Sequence, residues 1–155
     1  MINYKTAIKI LTNSKIKIKN EKVNCLESLN RICAENIYSP FNYPSGNNAA
    51  FDGFAINSKE TKKLKKNYIQ KFKILKTIAA GDNPKINNIK KFQTVEIMTG
   101  AILPKYFDTI IPIEKIKFYP NNIDKKYILI NREIKKNQHI RHAGSDYKKR
   151  DLIIK

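Results

Sequence analysis

Ala49-Ala50-Phe51-Asp52-Gly53-Phe54-Ala55 and Ile97-Met98-Thr99-Gly100-Ala101-Ile102-Leu103-Pro104 are two stretches in which a chain otherwise saturated with Lys, Asn and Ile turns small and apolar. Only five glycines occur, at 46, 53, 81, 100 and 144, and Gly53 and Gly100 each directly follow a polar side chain at the end of an apolar run. A glycine so placed permits positive φ, or a close backbone approach that any Cβ would obstruct. The pattern therefore presents Asp52 and Thr99 on tight backbone turns. Either dipeptide alone is an ordinary turn signal; the information lies in their order and spacing.

Moving outward from Phe51, the chain reads as strands. Runs 51–56, 68–79, 92–98, 109–113, 115–119 and 127–130 are rich in β-branched and aromatic residues and are separated by turns containing Asn, Asp, Gly and Pro, among them Pro120-Asn121-Asn122. Strands this short and this closely spaced predict a compact β module. Upstream the period changes. Tyr4, Ala7, Ile8 and Leu11 recur at helical spacing behind Asn3, a good N-cap. Asn24 with Glu27 three residues on is a variant capping box, and Leu26, Leu29, Ile32 and Cys33 form an apolar stripe, predicting a second helix. Pro40 and Pro44 end the helical region and impose an extended passage. After Ile140-Arg141 a polar turn through Gly144 leads to Leu152-Ile153-Ile154, an apolar strand one residue from the end that has the look of a cut in a longer protein. The fold class expected is α+β, mostly β.

At 155 residues the chain forms one domain or two small ones. No apolar run approaches the roughly 20 residues of a membrane span, and the start lacks a secretory signal, so the expected location is the cytoplasm. Cys25 and Cys33, eight apart on one predicted helix, would stand about 12 Å apart, too far for a disulfide, and read as small buried apolar residues. A net charge of +18 raises nucleic acid as a partner. The charge is nearly all lysine, however, with arginine only at 31, 132, 141 and 150, and it is spread through Asn- and Ile-rich segments. No base-reading signature is visible, so neither a specific nucleic-acid partner nor a membrane is expected. The densest basic run, Lys59 to Lys76, reads as a solvated face. His139 and His142 supply two ligands without a third and read as surface histidines.

An ordered series now stands out: Ser39-Pro40, Pro44, the two opening segments, Ala80-Gly81, Asp108 with Ile110-Ile111 and Glu114, Ile140-Arg141, and Gly144-Ser145-Asp146. The series resembles the N-terminal region of the molybdopterin molybdenumtransferases, the MoeA and gephyrin E-domain family, over essentially the whole chain. The resemblance implies a homodimeric four-domain enzyme that inserts molybdate into adenylylated molybdopterin, releases AMP and is assisted by Mg2+. It implies further that residues 1–44 and 139–155 form a discontinuous helix-containing domain and 45–138 an inserted β module. The family's α/β catalytic domain, with its Ser-Gly-Gly and Pro-Gly-x-Pro loops, and its last β domain have no counterpart here, since the chain contains no Gly-Gly pair. The fragment alone is expected to be inactive.

By the same resemblance Asp52 and Thr99 would be catalytic. Asp52 would hold Mg2+ or order the phosphate end of the nucleotide, a carboxylate near phosphate requiring a cation between them. Thr99 would donate to a phosphate or molybdate oxygen, helped by N–H groups around Gly100. Arg141 would face the anion and Asp146 would hold that arginine, both counted with Gly100 as substrate-binding. The competing structural readings are a turn residue for Asp52, a strand-end cap for Thr99 and a surface ion pair for Arg141 with Asp146. The sequence also departs from the family. Gly46-Asn47-Asn48-Ala49 stands where the family has an acidic residue then Asn-Ser, Phe51 and Phe54 replace Met and Tyr, and His142-Ala143-Gly144-Ser145-Asp146 replaces an Arg-rich turn before Gly-Glu-Asp. Two other readings remain open at this point: a scaffold or protein-interaction module of gephyrin-like architecture, and a basic nucleic-acid binder.

Overall fold

The structure is a computed structural model that describes residues 1–15, 18–62, 64 and 68–155. Part of the basic run between Lys59 and Lys76 lies outside the described residues. The chain divides into two compact units, Met1–Ile37 with Ile154–Lys155, and Tyr38–Ile153.

In the smaller unit the first expected helix forms as α1 (Tyr4–Asn13). Its start is fixed by the Asn3 side chain, which accepts from Thr6 N–H at 2.9 Å and satisfies one of the donors a helix N-terminus leaves free. The second expected helix does not form. Asn24 does accept a side-chain bond, from Leu26 N–H at 3.1 Å, but the turn it starts is a 3-10 turn of only three residues, Cys25–Glu27. Ser28 Oγ then bonds back to the Cys25 carbonyl at 2.6 Å, and Asn30 takes a left-handed φ of 64°, which no helix can continue through. The stripe residues Leu26, Leu29 and Ile32 are 91%, 82% and 94% exposed. An amphipathic stripe with nothing packed on it does not hold a short helix in water. The cysteines are corrected with the helix: both are free, Cys25 exposed and Cys33 half-buried.

Among the described residues ten strands follow: β1 (Ile37–Tyr38), β2 (Asn48–Ala49), β3 (Gly53–Ile56), β4 (Gln70–Ile78), β5 (Gln93–Ile97), β6 (Thr109–Pro112), β7 (Lys117–Pro120), β8 (Lys125–Ile130), β9 (Ile140–Arg141) and β10 (Leu152–Ile154). Each of the six apolar runs coincides with one strand of a single sheet with order β6-β3-β5-β4-β8-β7, β7 extending past its run to Pro120 and β8 beginning two residues before its run, at Lys125. All neighbours are antiparallel except β4 and β5, which run parallel with a register shift between Ile74 and Thr77. The Pro-Asn-Asn turn closes the β7–β8 hairpin, with Asn121 Oδ1 accepting from the N–H groups of Ile123 and Asp124 at 2.9 and 2.8 Å. The passage after Pro40 is not the extended stretch expected: it bends at Pro40-Phe41 and again over residues 44–46, and is held by Ser39 N–H to Asp151 O at 2.8 Å and Tyr43 N–H to Tyr147 O at 2.7 Å.

Both faces of the sheet are covered. Side chains alternate faces along a strand, and the two hydrophobic clusters divide by that rule. Ala55, Val95, Ile97 and Ile110 belong to one cluster with Ala49, Ala101, Leu103 and Phe107. Phe54, Ile56 and Ile111 belong to the other with Phe72, Ile128, Ile130 and Ile134. That is why β3 and β6 are buried at every residue and read as continuous rather than alternating apolar runs. Each fully buried Ile or Phe contributes roughly 1.5–3 kcal/mol of transfer free energy. The ends of β3 and β5, where the two polar-Gly turns lie, are thus mounted on the doubly covered centre of the sheet.

Candidate functional site

Asp52 stands one residue before β3, and Gly53 lies between the facing residues Ile97 of β5 and Pro112 of β6. A Cβ on Gly53 would come 2.1 Å from the Ile111 carbonyl oxygen, so glycine is required here by close approach of two backbones. The Asp52 carbonyl accepts from Ile113 N–H at 3.0 Å, fastening it toward β6. Its side chain joins the turn after β5: Oδ1 accepts from Thr99 N–H at 2.7 Å and from Thr99 Oγ1 at 2.6 Å. Gly100 completes that turn with φ +83°, and a Cβ there would make only an ordinary contact with the Ala80 Cβ at 3.7 Å, so there the requirement is conformational. Residues 47 apart in sequence are brought into one two-bond contact.

The contact sets the chemistry available. The Thr99 hydroxyl bond, then the Thr99 backbone bond, hold the Asp52 carboxyl below the usual carboxylate range. Asp52 is therefore anionic at neutral pH, with Oδ1 doubly engaged and Oδ2 receiving no hydrogen bond among the described residues. The donors expected to face an oxyanion are engaged within the chain. Thr99 N–H and Oγ–H both go to Asp52, Gly100 N–H goes to the Ala49 carbonyl at 2.9 Å and Ala101 N–H to the Met98 carbonyl at 3.0 Å. The turn therefore presents oxygen lone pairs of Asp52 and Thr99. Among the described residues no group of three or more His, Cys, Asp and Glu is arranged to hold a metal ion.

β2 connects this pair to the remaining candidates. It is hydrogen-bonded on one side to the turn after β5, with Ala49 N–H donating to the Ala101 carbonyl at 2.9 Å, and on the other pairs with β9, placing Asn48 opposite Arg141 and Ala49 opposite Ile140. Arg141 and Asp146 form an ion pair, as the sequence suggested, and Ser145 Oγ donates to the other Asp146 oxygen at 3.1 Å. Asn48 was not singled out as a site residue. Its Nδ2 donates to the Gly100 carbonyl at 2.8 Å while its Oδ1 is buried without a partner, a cost unless something donates to it. Its position four residues before Asp52 was the available signal. His139 is half-buried, not the surface residue expected, and packs edge-on against Phe51 with ring centroids 5.2 Å apart; His142 is exposed.

Residues 2–155 match the family model described as the MoeA N-terminal region, domains I and II. The chain belongs to the MoeA family. It is 32% identical over 150 residues to the molybdopterin molybdenumtransferase of Haemophilus influenzae, an alignment covering 94% of this chain and 34% of that protein. The molybdopterin molybdenumtransferase of Staphylococcus epidermidis is 29% identical over 154 residues, covering 99% of this chain and 35% of its own length. Among solved structures, the molybdopterin biosynthesis MoeA protein of Pyrococcus horikoshii OT3 superposes with a TM-score of 0.85 at 26% identity, over 100% of this chain and 40% of that one. The mostly β fold, with a single α-helix among the described residues, is thus a MoeA N-terminal fold, and the chain spans about a third of the length of the curated relatives it matches.

Proposed function

We propose that this chain is the N-terminal part of an enzyme that inserts molybdate into adenylylated molybdopterin with release of AMP, and that it supplies one wall of the cleft. The Asp52–Thr99 contact carries the reading. A depressed carboxylate with one free oxygen, beside a hydroxyl whose proton is already committed, is a half-shell for a hard cation. Mg2+ fits this donor set, because it binds through one or two carboxylates, keeps several waters and takes substrate phosphate oxygens as its remaining ligands. Bound there, it would neutralise phosphate charge next to the leaving AMP. Asp52 would contribute the ligand charge and Thr99 would orient it. Arg141, fixed by Asp146, would supply the complementary positive charge toward phosphate or molybdate, and Asn48 would orient the Gly100 turn.

The same reading assigns residues 1–44 and 139–155 to one discontinuous domain and 45–138 to the inserted β module, with a homodimeric full-length protein working in the cytoplasm on small-molecule substrates. No helix among the described residues is long and apolar enough to cross a membrane. The chain alone would lack the pterin-binding wall and be inactive. The test is AMP release by the full-length protein from adenylylated molybdopterin. AMP that appears only when molybdate is added supports the proposal; a full-length protein that releases none under conditions where a relative does refutes it.

A further inference from the structure

β6 is an edge strand, paired with β3 on one side only. Along its other side runs the segment 132–139, and the attachment is dense. Ile110 N–H donates to the Gln138 carbonyl at 3.1 Å and Asn137 N–H to the Asp108 carbonyl at 2.8 Å. Thr109 Oγ1 donates to the Lys135 carbonyl at 2.9 Å and accepts from Gln138 N–H at 3.2 Å, while Ile134 N–H donates to Thr61 Oγ1 at 2.9 Å. Asn137 and His139 sit at left-handed φ of 62° and 56°, a region these two residue types tolerate better than most and where they turn the segment along β6. The result is an arch tied to the β6 edge, with a half-open pocket of about 280 Å³ lined by residues of both.

Of the residues that line this pocket, Ile110, Ile111 and Ile134 are buried. Its lining also includes Lys115, Arg132 and Lys135 and a single acid, Glu133. Lysine is abundant everywhere in the chain, so the number of cations is no argument; their convergence on a preformed concavity is. Arg31, Lys126 and Arg141 are each in an ion pair, whereas among the described residues Lys115, Arg132 and Lys135 are in none. Like charges gathered around a cavity focus a positive potential into it and concentrate anions there. The volume is just below the roughly 300–1,000 Å³ of drug-sized pockets. It suits a small anion with its waters rather than a dinucleotide.

We propose that this pocket binds a tetrahedral oxyanion, either free or as the phosphate group of a small ligand. Arg132 provides the bidentate fork and Lys115 and Lys135 provide charge. Because β3 lies between β6 and β5, the pocket is on the far side of β3 from Thr99, and the inference does not depend on the roles given to Asp52 and Thr99. The arch is already in place, so binding needs little reorganisation.

The test is an amide chemical-shift titration of the 155-residue chain with inorganic phosphate, and separately with sodium molybdate and glycerol phosphate, at ionic strength held constant with sodium chloride. Saturable shifts concentrated in 109–115 and 132–139 are expected. Arg132→Gln should weaken binding at least about tenfold. Glu133→Gln, which removes the one repulsive carboxylate, should tighten it severalfold, an effect that damage to the fold would not produce. Glycerol phosphate binding as well as phosphate identifies a ligand-borne group, and binding of the free ions alone identifies a free oxyanion; either supports the site. Shifts scattered over the lysine-rich segments and abolished by chloride, or an affinity indifferent to both substitutions, overturn the proposal.

Discussion

Gly53→Ala is the substitution that tests most sharply how the Asp52 turn is built. Its new methyl would meet the Ile111 carbonyl oxygen at 2.1 Å, the Ile111 carbonyl carbon at 2.9 Å and the Pro112 Cα at 3.0 Å, all backbone atoms that cannot rotate away. Bringing the first contact from 2.1 Å to an ordinary 3.4 Å requires β3 and β6 to part locally by about 1.3 Å. Overpacking of this kind costs about 1–3 kcal/mol, and parting the strands at the Gly53–Pro112 end breaks one or two ladder bonds at about 1 kcal/mol each. A loss of about 2–5 kcal/mol follows, a large part of the stability of a domain this size. Urea denaturation followed by far-ultraviolet circular dichroism measures it. Gly100→Ala is the control, since its Cβ would meet only the Ala80 Cβ at 3.7 Å and the substitution suffers only from φ +83°, costing about 1–2 kcal/mol. A Gly53→Ala protein within about 1 kcal/mol of wild type, or no less stable than Gly100→Ala, would refute the close-approach argument.

Thr99→Val removes the hydroxyl bond to Asp52 Oδ1 but keeps the backbone one, so the Asp52 carboxyl should titrate at higher pH, nearer the ordinary range; side-chain carboxyl shifts against pH measure this, and an unmoved titration would mean that the bond does not form. Burial, reinforced by the hydrogen bond to Glu60, pushes the Tyr106 hydroxyl up to about 12. The folded state thus holds this proton more tightly than the unfolded chain, and the resulting stability is complete below pH about 10 and is lost as pH rises toward about 12. Tyr106→Phe should flatten the denaturation midpoint across that window. Asp146→Ala should change stability by less than about 1 kcal/mol, because the Arg141 pair is largely exposed, yet lower the turnover of the full-length protein; a larger loss of stability with full turnover would make the pair structural.

What the sequence made legible, and what it did not, follows from the range of each signal. The six sheet strands are visible because β-branched runs and Asn or Pro turns are local properties, and the β7–β8 turn closes through the side chain of Asn121 itself. The Asn24–Cys33 stripe misleads because its pattern is right while its outcome depends on packing the pattern does not encode: Leu26, Leu29 and Ile32 find no partner face, and Asn30 turns left-handed. The parallel pairing of β4 with β5 inside an otherwise antiparallel sheet left no local mark. Of the candidates Asp52, Thr99, Arg141 and Asp146, only the Arg141–Asp146 pair, close in sequence, was legible as a contact. The Asp52–Thr99 bond spans 47 positions and was not. It changes what Thr99 offers, since a hydroxyl that donates to its own aspartate presents lone pairs outward. Asn48 escaped because its importance lies in one bond to Gly100 and one unmet acceptor, both products of the fold.

The central claim is that the free oxygen of Asp52 faces the reaction. Asp52→Asn in the full-length protein tests it most directly, because an amide oxygen can still accept both Thr99 bonds while the charge that would hold a cation is gone. The measurement is the rate of molybdate-dependent AMP release at saturating Mg2+, compared with wild type at equal thermal stability. A fall of at least about a hundredfold is predicted, on the scale of losing a metal-held transition-state charge. A rate within about twofold of wild type would contradict the account and leave Asp52 as a residue that only fastens the turn.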